Sequence, residues 1–255
     1  MWPVWARPVE GESPVARRRI DRAVELGAGG ARAILEGVSE PTRAAPWPRR
    51  LAVEWAARVE GAWFDYRRHI VTGPTADERR PQRRPSDDWS AYIPARPASA
   101  RAALQALPLR DPRDYTLIDI GSGKGRVMFL AAEYPFRRIV GVESVGELHA
   151  AAERNIQRYR HPLRRCPSIE AVHAKAQDFE WPADPLVLFF FNPFPAHVMA
   201  PVMQRLARSM EQHPRPVWLI LLFPALAPVI ESLTTLRLHA QTRKHHIYAS
   251  PHADE

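Results

Sequence analysis

The 255-residue chain predicts an α/β protein: a doubly wound, mostly parallel sheet of seven strands behind an N-terminal helical extension. Three observations predict it. From about residue 109 onward, unbroken apolar runs such as YTLIDI, RIVGVE and LVLFFF alternate with helix-period stretches. Strands with no polar face are those of a parallel sheet covered by helices on both sides. The composition changes at the same point. Six of the eight tryptophans and the arginine pairs Arg49-Arg50, Arg67-Arg68, Arg79-Arg80 and Arg83-Arg84 lie upstream of it. The first apolar run is followed at once by alternating glycines that open a helical pattern, the junction at which such sheets place ligands. The division is therefore an extension or cap over residues 1–108 and a core over 109–255, with residues 1–50 and 73–90 the candidates for flexibility.

The elements follow in order. Ser13-Pro14 can start a helix and Gly27 can end it. Trp55, Val59, Trp63, Tyr66 and Ile70 recur at helical spacing, which predicts an amphipathic helix that packs along that stripe. Thr72-Gly-Pro ends it, and the Pro/Arg-rich stretch 73–90 is a loop. A short helix runs from Pro97 to Leu107. The core then reads as strand Tyr115–Ile120, helix Gly125–Tyr134, strand Arg138–Glu143, helix Gly146–Tyr159, strand Ile169–His173, strand Leu186–Phe191, helix Ala200–Met210 and strand Val217–Phe223. A final pair, Leu236–Ala240 and His245–Ala249, completes seven strands. The run Pro216–Ile230 is long and uncharged, but it falls short of the ~18 residues a membrane span needs and is broken by Pro224 and Pro228. It reads as a buried strand and its exit loop.

Composition narrows the function classes. One cysteine, Cys166, excludes an internal disulfide and a cysteine-cluster metal site, and favours a reducing compartment. With no charged and apolar leader at its start, the expected location is the cytoplasm. The formal net charge is +8, split evenly between residues 1–100 and 101–255, whereas nucleic-acid binders concentrate basic charge on one face. A nucleic-acid partner is therefore not favoured. Ten histidines occur without a metal-binding spacing or cysteine partners, so no metal is expected. His245-His246 sits in a strand and reads as structural, and the arginine pairs read mainly as solvated faces.

The chemistry concentrates after the first strand, in Asp119-Ile-Gly121-Ser122-Gly123-Lys-Gly125-Arg126. A phosphate-binding P-loop fails at two fixed positions, with Ile118 at its first glycine and Gly125 at its Ser/Thr. A dinucleotide loop puts Arg126 at its third glycine and survives only as a variant. A tight turn alone explains one glycine but hardly three. Eighteen residues beyond Gly125, the second strand ends in Glu143, whose two oxygens can accept both hydroxyls of a ribose.

LIDIGSGKGRVMFLAAEY and IVGVE resemble the first two motifs of the class I S-adenosylmethionine-dependent methyltransferases, whose fold is Rossmann-like. The stretch from Tyr92 to Phe194 is similar to a bacterial methyltransferase-like group carrying GSGKGR, an FRR-VGVE strand and an NPF turn. The resemblance implies a methyltransferase whose cofactor is S-adenosyl-L-methionine and whose product is S-adenosyl-L-homocysteine. It implies that Asp119, Gly121, Ser122, Gly123 and Gly125 face the methionine part, that Glu143 holds the ribose, and that Ser144 and Val145 border the adenine. Where the family often has an acid after the third strand, this chain has Lys175, so Gln177 or Asp178 would substitute. Tyr92 would cover the cofactor. Asn192-Pro193-Phe194 resembles the turn of enzymes that methylate amino nitrogens, with one proline missing, and implies acceptor positioning. The acceptor, protein or small molecule, stays unidentified, as does the oligomeric state. Two other classes remain: a nicotinamide-dependent oxidoreductase, and a catalytically silent cofactor-binding module that docks a partner.

Overall fold

The computed structural model describes residues 47–75, 77, 78, 92–191 and 194–253, with residues 47–56 described by backbone alone. The helix expected from Ser13, most of the 73–90 loop, Asn192 and Pro193 lie outside the described residues. The chain enters through α1 (Trp47–Tyr66) and α2 (Pro97–Gln105). The core follows as β1 (Thr116–Ile120), α3 (Arg126–Ala131), β2 (Arg138–Glu143), α4 (Gly146–Arg158), β3 (Ile169–His173), β4 (Leu186–Phe191), α5 (Ala196–Gln212), β5 (Val217–Leu222), α6 (Ala227–Leu233), β6 (Arg237–Gln241) and β7 (His245–Ala249).

The seven strands form one sheet in the order β3-β2-β1-β4-β5-β7-β6. All pairings from β3 through β5 are parallel, and β7 runs antiparallel to both β5 and β6. The order reverses direction at β1 and β4, so the crevice at their carboxyl ends is where this topology admits a ligand. This is the expected Rossmann-like α/β sheet.

The strand sequences explain the two-sided burial. Every residue of β1 and β5 is buried, as are five of six in β4. Leu117, Val187, Phe189, Trp218 and Ile220 meet Phe64, Ala100, Leu104, Phe129 and Tyr159 on one face. Ile118, Ile120, Leu188, Phe190, Leu219 and Leu221 meet Met199, Met203, Leu206 and Ile230 on the other. A Leu-sized side chain fully buried this way contributes about 1.5–3 kcal/mol.

Four expectations change. The Pro216–Ile230 run is strand and then exit loop, as expected, but from Ala227 it is helix α6: Pro228 sits in its first turn, where a missing N–H costs nothing. Helix α5 starts at Ala196, four residues early, and accommodates Pro201 inside it. Helix α3 is shorter than expected, Arg126–Ala131. The stripe on α1 is reversed at Val59, Trp63 and Tyr66, whereas Ile70, past the helix end, is buried as expected and the Trp55 side chain lies outside the described residues. Val59, Trp63 and Tyr66 are exposed, at 48%, 59% and 74%, while Phe64, Asp65 and Arg68 are buried. Trp63 and Tyr66 stack on each other and Arg67 lies over Trp63. The inward side is chosen by polar bonds that the hydrophobic period does not register. Arg68, expected on a solvated face, pairs with Glu133, which also accepts from Arg101 of α2 at 2.6 Å. Burial raises the Glu133 carboxyl, but the Arg101 and Arg68 hydrogen bonds outweigh it and hold the group below its ordinary range.

Among the described residues, no helix is long and apolar enough to cross a membrane, and no cluster of His, Cys, Asp and Glu could hold a metal ion.

Candidate functional site at the strand ends

The bend after β1 is built from three left-handed glycines, Gly121 (φ 74°), Gly123 (φ 55°) and Gly125 (φ 90°), a conformation that costs other residues roughly 1–2 kcal/mol each. Gly125 ends the bend by capping α3. At Gly123 space matters as well as angle, because an added Cβ would lie 2.3 Å from the Tyr92 ring. The Tyr92 hydroxyl donates to the Thr72 carbonyl oxygen at 2.8 Å.

Glu143, the last residue of β2, closes the bend from the neighbouring strand. Its carboxylate accepts from the Gly123 amide and from the Val145 amide, each at 2.8 Å. Two backbone donors fix the group at the end of β2 and leave it further lone pairs, since an ionised carboxylate has about four acceptor sites. Burial pushes its pKa up, and the amides of Val145, Gly123 and Ser144 pull against that shift.

Asp119 lies one strand over and is buried. Burial, and then the charge of Glu143, raise its carboxyl from the usual 3.8 to about 8. Its Oδ2 and the hydroxyl of Ser122 are buried without a hydrogen-bond partner. Both residues line a shallow cleft together with Tyr92, Ile93, Ala95, Gly121, Arg126 and Phe191. Buried polar groups are nearly always paired, and these two unpaired atoms belong to residues that line one cleft.

The two cations of the bend are bonded to the extension. Lys124 is 4% exposed, and its ammonium donates to the Gly73 carbonyl oxygen at 3.1 Å and to Glu78 at 2.8 Å. Arg126 donates to the Thr72 hydroxyl at 2.7 Å and lies 3.8 Å from Asp65. Asp65 in turn accepts from the amides of Thr72 and Gly73. Asn155 of α4 ties the same strap to the bend, bonding both backbone groups of Val71 and the Lys124 carbonyl oxygen. The extension is thus bolted to the back of the glycine bend.

The structure brings together Tyr92, Asp119, Gly121, Ser122, Gly123, Gly125, Glu143 and Val145. Ser144 is exposed, and its carbonyl oxygen meets His173 Nε2 at 3.1 Å. Gln177 and Asp178 lie on a single 3-10 turn after β3 (Ala176–Asp178) and outside the cleft lining. Phe194 packs partly buried against the α5 face of the sheet. Sequence reasoning missed Ile93, Ala95, Arg126 and Phe191 as cleft residues. Phe191 could have been found as the last residue of its strand and Arg126 as the last residue of GSGKGR; Ile93 and Ala95 belong to an irregular segment with no motif.

No protein-family model matches the chain, and no curated protein does. Solved structures resemble it at low identity. A Pyrococcus abyssi tRNA (uracil-54, C5)-methyltransferase in complex with S-adenosyl-L-homocysteine is 14% identical at a TM-score of 0.40, over 59% of this chain and 36% of that one. A predicted N6-adenine-specific DNA methylase from Listeria monocytogenes is 12% identical at 0.46, over 62% and 52%. A Salinibacter ruber RNA methyltransferase in complex with S-adenosyl-L-homocysteine is 17% identical at 0.39, over 62% and 92%. The chain spans about a third of the first and half of the second.

Proposed function

We propose that the chain is an S-adenosylmethionine-dependent methyltransferase of the class I kind, within the bacterial group that its GSGKGR and NPF motifs resemble. The observation that carries this is the position of Glu143, an acid at the end of β2 fixed by the amides of Gly123 and Val145. Its free lone pairs suit the two hydroxyls of a ribose. Asp119 Oδ2 and Ser122 Oγ, orphaned in the cleft, suit the ammonium and carboxylate of an amino-acid tail. The residues present therefore fit an adenosyl amino acid.

In this reading residues 109–255 form the cofactor core and residues 1–108 the extension that caps it. Glu143 holds the ribose; Asp119, Gly121, Ser122, Gly123 and Gly125 hold the amino-acid part; Tyr92 covers it. Ser144 and Val145 border the base, and Gln177 or Asp178 takes the place of the missing acid there. Bound in this way, the cofactor supplies a methyl group already activated by its sulfonium. What remains for the protein is to bind, to exclude water, and to hold an acceptor lone pair in line with the methyl group. Orientation of that kind supplies roughly 7–11 kcal/mol in favourable cases. Asn192, Pro193 and Phe194 are assigned to that task, with an amino nitrogen as the acceptor atom. The nicotinamide reading needs a small residue at 126 for close helix–strand packing; Arg126 instead runs buried toward Thr72 and Ala95.

Calorimetry with S-adenosyl-L-homocysteine tests the proposal. The wild-type protein binds it at micromolar concentration, and Glu143→Ala loses two hydrogen bonds to a charged acceptor. At about 1.5–3 kcal/mol each, affinity falls at least about 100-fold. A wild-type protein that binds nothing refutes the reading, and one that binds but transfers no methyl group to any acceptor is the silent module.

A further inference from the structure

Phe223 has a backbone no other residue of the sheet shares. Among the described residues, positive φ outside glycine occurs at His69 and Phe223. His69 follows the end of α1, where left-handed residues are ordinary. Phe223 follows β5, has φ 55°, and is bulky, the kind of residue that this region excludes most strongly. Its conformation is imposed from both sides. Its amide donates to the Lys244 carbonyl oxygen and its carbonyl oxygen accepts from the Ala225 amide, each at 2.8 Å. The strain does not serve burial, since the ring it positions is 42% exposed. It serves to bring that ring against Phe191, 5.8 Å away between centroids, and Phe191 lines the cleft that holds Asp119 and Ser122. Strained residues of this sort persist where the surroundings over-determine them, and they cluster at functional sites.

Resting on the methyltransferase reading above, we infer that Phe223 is an acceptor-positioning residue: with Phe191 it forms an aromatic wall at the mouth of the cleft. The wall selects an acceptor whose methyl-receiving atom is carried on apolar or aromatic carbon. Two phenyl rings offer contact area and no hydrogen-bond donor, so an acceptor atom flanked by phosphate or carboxylate gains nothing there. Lys124 and Arg126, the buried cations nearest the cleft, are already paired with the extension. An amine on an alkyl or aromatic stem fits both facts, and its charge, where present, is attracted to the ring faces.

The test uses the full chain and tritiated methyl transfer from S-adenosylmethionine into an extract of cells lacking this protein. The extract fraction that the wild type labels becomes the probe for three variants. Phe223→Gly relieves the backbone while deleting the ring. It is expected to melt at or above the wild-type temperature and to bind S-adenosyl-L-homocysteine within twofold. Its kcat/KM for the labelled fraction is expected to fall at least tenfold, mostly through KM. Phe223→Tyr keeps the wall and transfers within about threefold of wild type, whereas Phe223→Asp loses transfer as Phe223→Gly does. Transfer by Phe223→Gly at the wild-type rate overturns the inference. So does a Phe223→Gly protein that melts well below wild type, since the ring is then a packing element. A wild type that binds S-adenosyl-L-homocysteine but labels nothing also overturns it, while failure of the wild type to bind that ligand sinks the underlying reading instead.

Discussion

Replacing Asp119 with asparagine should make the protein more stable, and by an amount that depends on pH. The Asp119 carboxyl sits at about 8 in the folded chain against 3.8 ordinarily. Its folded pKa is raised, so folding takes up a proton between those values. The contribution to stability is fully present below about pH 4, falls as pH rises through the window, and is gone above about pH 8. At 1.36 kcal/mol per pH unit, the cost of keeping this residue at pH 8 approaches a ceiling of about 5 kcal/mol. Asparagine has the same shape and no proton to take up. Relaxation around the site lowers the ceiling, and a gain of at least ~2 kcal/mol is expected. For a chain of this size that is a rise of about 4–8 °C in melting temperature. Thermal melts of both proteins from pH 4 to 8.5 give the readout. The gap between the two curves should widen steadily with pH and level off near pH 8. The same variant should bind S-adenosyl-L-homocysteine more weakly, because asparagine cannot ionise to match the ligand's ammonium, so stability and binding move in opposite directions. A constant gap across the range, or an asparagine variant that melts lower at pH 8, refutes the reasoning: Asp119 would then be an ionised, paired carboxylate.

Two further outcomes follow from the same structure. Gly123→Ala places a Cβ 2.3 Å from the Tyr92 ring at φ +55°; it should cost about 2 kcal/mol or more in urea unfolding, and combining it with Tyr92→Ala should recover the steric part but not the backbone part. Glu133→Gln strips the buried Arg68 of its partner, both side chains being 7% exposed, and should cost about 3–5 kcal/mol at pH 7. Because the Glu133 carboxyl is held below its ordinary 4.5, its contribution is present above that pH and lost as pH falls through the lowered value, so the gap from wild type should close in acid.

The sheet was legible because its strands carry the parallel-sheet signature without interruption. Boundaries at Arg138–Glu143, Ile169–His173, Leu186–Phe191 and His245–Ala249 coincide with the observed strands. The glycine bend and Glu143 were legible as well, since a positive φ and a strand-end acid leave their marks in residue type and spacing. The orientation of α1 was not. A hydrophobic period ranks Trp63 and Tyr66 above Asp65 and Arg68, yet the polar pair faces inward because its partners, Thr72, Gly73 and Glu133, come from other segments. Helix α6 was hidden for a related reason: an apolar run that is buried as strand and then as helix has one composition throughout, and only Pro228 marks the change. Phe223 was hidden most completely, because a phenylalanine in left-handed backbone looks in sequence like the last residue of an ordinary strand.

The most direct measurement is the distance from the Glu143 carboxylate to the ribose in a crystal of the wild-type protein grown with S-adenosyl-L-homocysteine. The account predicts both ribose hydroxyls within hydrogen-bond reach of Glu143, at about 2.5–3.0 Å, with the amino-acid tail against Asp119 and Ser122. A ligand bound elsewhere, or a ribose that Glu143 does not touch, contradicts it.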